Sequence, residues 1–543
     1  MLNSPLLRSI QSPRNCTIAF RLNRALRSKV LRSSVRSLLE PRSFPQWIQC
    51  GNPCYIQKEF IRDDPPYLPH LLSGNEPPTE EMLLPLKSSA CRVAAAIDEV
   101  HTEISVVSDP AVLKFLEDKR VRLRAIDEEY KTVLSPLRRV PPEVLAKIFS
   151  IHSLRPQYGR DAYYDVFAVH DGPWTLSRVC GTWRQVSHTL CADVWATMLV
   201  PISGHLGRRK KDLLSILRAA LSYSRSCLLS LWMKDGGLWL SGWDVEAREI
   251  SESLLKILLS QSQRWKSVII SISPGFFHLL PLLRGKIPEL ESFDICVESL
   301  DGDNTGTFDG LEIAPRLKHL VFEEWGFGLI PVIDASHLVT FCDDRPADSV
   351  GILHRMYLDI IRDAPSLETF SVNHQGSSEG ALPVAAPRIA HQALRNLTVC
   401  ESAIIRSLDL PNLASATIQH GCPSWKDSTY TYPDVLPALL KLIIRSKCIL
   451  TSLTIADTQL NEHIFSILSL CSNLSEFELG FSQWRESDPS DPVLQTLVDR
   501  MSETTTNDSH KLVLVPLLKD FTVSMSDRYR IRDDVALTMV HYH

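Results

Sequence analysis

The string with the most definite coordination chemistry is DGDNTGTFDGLE, Asp301 to Glu312. It offers carboxylate or hydroxyl oxygen at positions 1, 3, 5 and 9, Gly306 at position 6 and Glu312 at position 12, the spacing that a calcium loop needs. Pro315 would fall within the first turns of the helix that must follow, however, and the preceding LESFDICV reads as a buried strand. The string is therefore expected to be a Gly/Asp surface loop. Gly326-Phe327-Gly328 lacks the third glycine and the helix of a dinucleotide loop and reads as a turn. Cys50 and Cys54 have no second Cys or His pair nearby to complete a zinc site. No G-x-S-x-G, H-E-x-x-H or G-x-x-x-x-G-K-[ST] string occurs, and the 17 histidines are dispersed. No catalytic residue, metal or cofactor is expected, although a triad assembled in space would leave no such string.

Composition narrows the class of protein. The chain has 543 residues, 63 acidic against 58 basic, for a net charge of −5. A general nucleic-acid binder needs a sustained excess of Lys and Arg to displace counterions, so that class is not expected. The apolar runs, such as FFHLLPLL from Phe276, are too short and too broken to cross a membrane, and no signal-peptide core follows Met1. Thirteen cysteines scattered without paired spacing point to reduced thiols and to the cytoplasm or nucleus. Residues 1–39 carry eight basic side chains and no acid, the composition of a disordered basic tail or of an organellar transit peptide, so mitochondrial targeting stays open. Residues 40–80 are Pro-rich, and the stretch 1–75 is read as leader and linker.

The elements that follow are helical. Leu86, Ala90, Val93, Ile97, Val100, Ile104 and Val107 alternate steps of four and three, which lines one seam of a helix. Pro110 ends that seam and can open a second helix, continued by Leu113, Leu116, Leu123, Ile126, Tyr130 and Val133. Residues 76–133 are thus expected to form a heptad helix or helical hairpin, its partner being either this chain or a second copy. In LSPLRRVPPEVLAKIFSIHSL, Leu134 to Leu154, the pair Pro141-Pro142 suits the first turn of a short helix that sets Val144, Leu145, Ile148 and Phe149 on one face. Farther on, WTLSRVCGTWRQVSHTLCADVW places Leu176, Val179, Cys180, Trp183 and Val186 on one helical face, with Trp195 closing a module over 134–200.

This module resembles the F-box, specifically the fungal group in which a heptad helix runs into "LSPxRRxPPE" and later "VCxxWRxVxxxxxxLW". The matching positions are Leu134, Ser135, Pro136, Arg138, Arg139, Pro141, Pro142, Glu143, Leu145, Ile148, Phe149, Val179, Cys180, Trp183, Arg184, Val186 and Trp195, and the likeness extends back to PHLLSGNEPP. It departs from the pattern in the aromatic insertion from Arg155 to Pro173 and at Val194, where Leu is usual. The resemblance implies docking to the Skp-type adaptor of a cullin ubiquitin ligase, with Leu137, Pro141, Pro142, Glu143, Leu145, Ile148, Phe149, Leu176, Val179, Cys180 and Trp183 as the adaptor-binding set. The first helix would offer Leu145 and its neighbours to an apolar groove.

Downstream, from about residue 224, a string of apolar, two others, apolar, one other, apolar recurs. It appears as Trp265/Val268/Ile270, Leu290/Phe293/Ile295, Leu317/Leu320/Phe322, Leu367/Phe370/Val372, Leu394/Leu397/Val399, Leu450/Leu453/Ile455, Leu474/Phe477/Leu479 and Leu518/Phe521/Val523. Weaker copies are Leu338/Phe341/Asp343 and Leu413/Ala416/Ile418. The mean spacing is about 28 residues, and helical stripes lie between the strings, so each unit reads as helix, turn, strand. The region resembles a leucine-rich-repeat solenoid spanning 201–543, in which stacked units share one core. The expected fold is α+β and multi-domain: a coiled-coil-like helical segment, a small three-helix F-box and an α/β leucine-rich-repeat-like solenoid. The expected role is the substrate receptor of a Skp–cullin–F-box ligase, with no catalysis of its own and with exposed aromatics such as Trp325, Trp425 and Trp484 as candidate contacts. The alternatives are a scaffold or organellar protein outside a ligase and, less favoured, an enzyme with a C-terminal α/β catalytic domain.

Overall fold

Alternation of apolar and polar residues builds the strands. In Ser292–Val297 the side chains of Phe293, Ile295 and Val297 are buried while Ser292, Asp294 and Cys296 are only half-buried. That period of two assigns one set to each face of a pleated strand. The computed structural model describes residues 64–74, 76–153, 163–203, 210–235, 245–297, 305–323, 328–344, 350–372, 388–419, 434–481, 491–501, 504–505, 508–512 and 514–525. Asp64 aside, these belong to one of the chain's two contact units, Pro65 to His543.

Thirteen strands form one sheet whose spatial order is its chain order, with every adjacent pair parallel. It runs from Tyr164–Asp165 and Thr197–Pro201 through Leu229–Lys234 and Trp265–Ile272 to Asp520–Met525. A parallel neighbour requires a crossover. Helices supply it at Lys210–Tyr223, Val245–Leu259, Val350–Asp363, Val435–Ser446 and His463–Leu470, burying their apolar residues in the same core as the inner strand residues. The chain is therefore a mixed helix and strand protein built on a large parallel sheet, as the repeated strings led us to expect.

Register is the main feature of this sheet. The middle residue of each string pairs with the middle residue of the next: Val268, Phe293, Leu320, Phe341, Phe370, Leu397, Ala416, Leu453, Phe477 and Phe521 form one continuous row. The row continues backward through Leu231 and Met198 to Tyr164. Phe341 and Phe370 stack with ring centroids 5.6 Å apart, and Phe477 and Phe521 with centroids 5.4 Å apart.

Three expectations need correction. The sheet begins at Tyr164 and not within 201–543: Tyr164–Asp165 lies inside the stretch 134–200 read as the F-box module, and Thr197–Pro201 runs across the boundary at residue 200. Not every unit carries an α-helix. Between Ser292–Val297 and Thr340–Asp344 the described residues hold the sheet strand His319–Glu323, a parallel pair, Thr305–Phe308 with Gly328–Pro331, and a 3-10 turn at Ala335–His337, with no α-helix. The spacing from Leu317 to Leu338 leaves too little chain for a longer helix. Residues 305–308 and Gly328 are thus strand where a loop and a turn were expected.

Upstream, the seam forms a hairpin of two helices, Glu80–Val106 and Pro110–Val133, packed on each other. Leu86, Val93 and Val100 from the first, and Leu116, Leu123 and Tyr130 from the second, are buried at seven-residue intervals. Asp109 accepts a hydrogen bond from the Ala111 amide at 2.8 Å and opens the second helix one residue before Pro110, as the sequence predicts. A short helix, Leu68–Ser73, lies inside the stretch read as linker and buries Leu68 and Leu71. Pro69 is tolerated there because a first-turn amide has no helical acceptor to lose.

The stacked row yields a direct test. Phe370 is fully buried between Phe341, Tyr357 and Leu397. Phe370→Ala should lower unfolding free energy by about 3–5 kcal/mol in chemical denaturation, the cost of a large aromatic cavity.

Candidate functional site

The candidate partner surface belongs to three short helices, Pro142–Ser153, Gly172–Val179 and Gly181–Thr189. Their shared core is Leu145, Phe149, Val186, Cys191 and Val194, with Val140, Ala146, Leu176 and Trp183 packed against it. The Phe149 and Trp183 rings lie 4.9 Å apart. Leu145 and Phe149 are 2% and 1% exposed, so these two face inward and are not offered to a partner. The reason is size: a twelve-residue helix on so small a module must spend its most regular apolar pair on its own core.

What remains outside is a second apolar set. Val144, Ile148 and Ile151 follow at i, i+4 and i+7 on the first helix, and with Leu137 they are 46% to 61% exposed. Pro141, Pro142 and Glu143 are exposed beside them, and Val179 is exposed on the second helix. Leu176, Cys180 and Trp183 are half-buried. The structure thus brings the predicted residues into one module but divides them between an interior and an outer surface.

The helix expected through Leu176 to Val186 is broken. Cys180 is extended, with φ −161° and ψ 174°, and its sulfur accepts the Trp183 amide at 3.4 Å, so it starts a new helix. The Arg184 Nε donates back to the Ser177 carbonyl at 2.9 Å across the break. Arg138 reaches the other way: its guanidinium donates to the Leu71 carbonyl at 2.8 Å and to the Glu76 carbonyl at 3.4 Å, tying the module to the preceding segment.

The described part of the segment read as an aromatic insertion, residues 163–173, lies at the junction with the sheet. Trp195 is fully buried, donates its indole N–H to the Ser187 carbonyl at 2.9 Å, and meets Trp174, Tyr164 and Tyr223 at centroid distances of 4.8, 6.2 and 4.9 Å. Trp174 donates to the Val166 carbonyl at 3.0 Å, and burial pushes the Tyr164 phenol above its ordinary pKa. Gly172 holds φ +53° with Tyr164 so close that an added Cβ would lie 2.7 Å from the tyrosine Cβ. Only glycine satisfies both the conformation and the contact. Motif spacing did not single out Tyr164, Trp174, His188 or Tyr223. The density of aromatics between Tyr163 and Trp174 was the available signal.

Sites for small-molecule chemistry are sparse. Asp309 and Glu312 of the calcium-like string both pair with Arg284, the first at 3.1 Å, so two of its ligand positions are already neutralised. Asp301 and Asp303 lie outside the described residues, as do Cys50, Cys54, Trp325, Trp425 and Trp484. No cluster of three or more His, Cys, Asp or Glu suited to a metal occurs among the described residues. Burial pushes the Cys191 and Cys448 thiols up to about 11 and Cys471 to about 12, which holds them in the unreactive protonated form. No described helix is long and apolar enough to cross a membrane. No protein-family model matches the chain, and no curated protein matches it.

His188 sits at the junction, stacked on Tyr223 at 3.8 Å, and desolvation followed by the nearby Arg184 charge lowers its pKa. The folded state therefore disfavours protonated His188. Its contribution is complete above the ordinary histidine value of 6.5 and is lost as pH falls below that value, where the unfolded chain takes up a proton that the folded one resists. His188→Phe should flatten the decline of melting temperature between pH 7 and pH 5 relative to wild type.

Proposed function

We propose that the chain is the substrate-recognition subunit of a Skp–cullin–F-box ubiquitin ligase, as its resemblance to the F-box family implies. The observation that carries this reading is the exposed apolar row Leu137, Val144, Ile148 and Ile151 on a module whose own core is already closed by Leu145, Phe149, Val186, Cys191 and Val194. An i, i+4, i+7 stripe with no cover among the described residues fits a helix-in-groove contact with the adaptor. Completing the burial of four half-covered aliphatic side chains contributes roughly 1 kcal/mol each. Association costs at least about 4 kcal/mol in lost rigid-body freedom. The adaptor must therefore also engage Pro141, Pro142, Glu143 and Val179.

The sheet and its helices serve, in this reading, as a leucine-rich-repeat-like solenoid that holds the target protein. Support comes from the single-file parallel strands, whose inner rows are buried in one core with the crossing helices while most side chains of the opposite rows, among the described residues, are only half-buried. The subunit contributes proximity, raising the effective concentration of target lysines near a ubiquitin-conjugating enzyme elsewhere in the complex. Cytoplasm or nucleus is the compartment this role requires.

Affinity purification with a Skp-type adaptor tests the reading. Wild-type chain should recover adaptor in equimolar amount. Ile148→Asp should abolish recovery while leaving the melting temperature within a few degrees of wild type. Leu145→Asp should instead unfold the module, since it places a charge in a closed apolar core. Equal adaptor recovery by wild type and Ile148→Asp would overturn the proposal.

A further inference from the structure

A cleft of about 460 Å³ opens between the C-terminal ends of the helices Lys210–Tyr223 and Val245–Leu259. It is a wide depression open to solvent, with room for a small ligand but not for its enclosure. Its polar lining is Arg218, Ser222, Arg225, Ser260, Gln261 and Arg264, three guanidiniums and no carboxylate.

The three arginines differ in how they are held. Arg264 is fixed by neutral oxygens: its Nε and Nη2 donate to the Cys227 carbonyl at 3.0 and 2.8 Å, Nη2 also donates to the Ser224 hydroxyl at 2.8 Å, and Nη1 donates to the Gln261 side chain at 3.2 Å. Those bonds immobilise the group and leave its charge uncompensated. The Arg218 and Arg225 side chains are exposed and make no ion pair or hydrogen bond with a described residue. The two helix C-termini bring about −0.5 charge each, which leaves the cleft at about +2.

Arg225 is also backbone-constrained. Its φ is 48°, in the left-handed region that a helix stop ordinarily gives to glycine. Lys447 holds the same conformation, with φ 51°, at the end of Val435–Ser446, so the turn at Arg225 is a helix stop that this chain also uses elsewhere. What sets Arg225 apart is its place in the lining of the cationic cleft.

We propose that this cleft binds a phosphoryl group, a phosphomonoester or pyrophosphate, with Arg264 as a fixed positive charge and with Arg218 and Arg225 closing on the oxygens as bidentate donors. The guanidinium fork matches phosphate oxygens in geometry, and the net charge matches a dianion. The Ser222 hydroxyl supplies a further donor. The ligand is either a free small phosphate or a phosphorylated side chain of another protein. The inference stands independently of adaptor docking.

Isothermal titration of the full chain at low ionic strength, with orthophosphate, pyrophosphate, and a phosphoserine peptide beside its unphosphorylated twin, tests it. Phosphoryl-bearing probes should bind, the unphosphorylated peptide should not, and affinity should fall as salt is raised. Tighter binding of orthophosphate or pyrophosphate than of the phosphopeptide assigns a free small phosphate, and the reverse order assigns a phosphorylated protein. Arg225→Gly should weaken binding at least about tenfold, the loss expected for one charge-assisted contact. Its melting temperature should equal or exceed that of wild type, because glycine accepts this φ without strain, so lost binding cannot be put down to unfolding. The double variant Arg218→Ala/Arg225→Gly should bind no probe measurably. Absence of heat with every probe, or unchanged affinity in the double variant, overturns the proposal.

Discussion

Register between parallel strands is the constraint on which the rest of the structure depends. Each inner strand of the large sheet is bonded to the sheet strands that precede and follow it in chain order, so each inner side chain is covered by the equivalent residues of the neighbouring units and by the helix or shorter segment that crosses between them. A slip of one residue would turn Phe293, Phe341 and Phe370 outward and Asp294, Cys342 and Ser371 inward. No unit can therefore be stable alone, and stability accumulates along the array from nearest-neighbour contacts. Single-file pairing also sets the opposite rows, in which Ser, Thr and acidic residues recur and most described side chains are half-buried, on the face away from that core.

The same rule explains how the helical module is attached. Its last residues enter the sheet as Thr197–Pro201, and the segment between its helices contributes Tyr164–Asp165 as the first strand. Trp195 then packs on Trp174, on Tyr164 and on Tyr223 of the next helix, so the module is joined to the array by aromatic contacts as well as by backbone hydrogen bonds. The outer stripe at Val144, Ile148 and Ile151 lies on a helix of that module. A partner seated on the stripe and a ligand held on the sheet would stand in a fixed relation, which is what a proximity mechanism requires.

Much of this was legible because burial and periodicity coincide. In all ten L-x-x-L-x-L strings the second and third positions lie on a strand of the large sheet, the degenerate Leu338/Phe341/Asp343 and Leu413/Ala416/Ile418 included, since a strand that turns one face to the core must repeat with period two. The hairpin was legible for a similar reason, at period seven. The division of labour within the first module was not. Leu145 and Ile148 are equally apolar neighbours on one helix, and only the placement of Trp183 and Val186 decides which is covered. The break at Cys180 was hidden because a thiol cap is a weak local signal, and the first strand because two residues of strand carry no periodicity. The arginine cleft escaped motif reading because Arg218, Arg225 and Arg264 are scattered in sequence and meet only where two helices end.

One departure from the inner rows shows what apolar packing cannot supply. Asp343 lies between Phe322 and Val372 in the second inner row and is buried. A carboxylate there is tolerable only with a partner, and the Tyr357 hydroxyl donates to it at 2.9 Å from the following helix. On that helix His354 pairs with Glu401, which belongs to a later unit. Polar bonds thus run backward from Val350–Asp363 to one strand and forward to another segment, both in the interior. Such pairs add little net stability over well-packed apolar residues, but they are directional where dispersion contacts are not. Units of uneven length, some crossing by a helix and some by a 3-10 turn, give apolar side chains several near-equivalent ways to pack. A hydrogen bond that is satisfied in only one of them selects it.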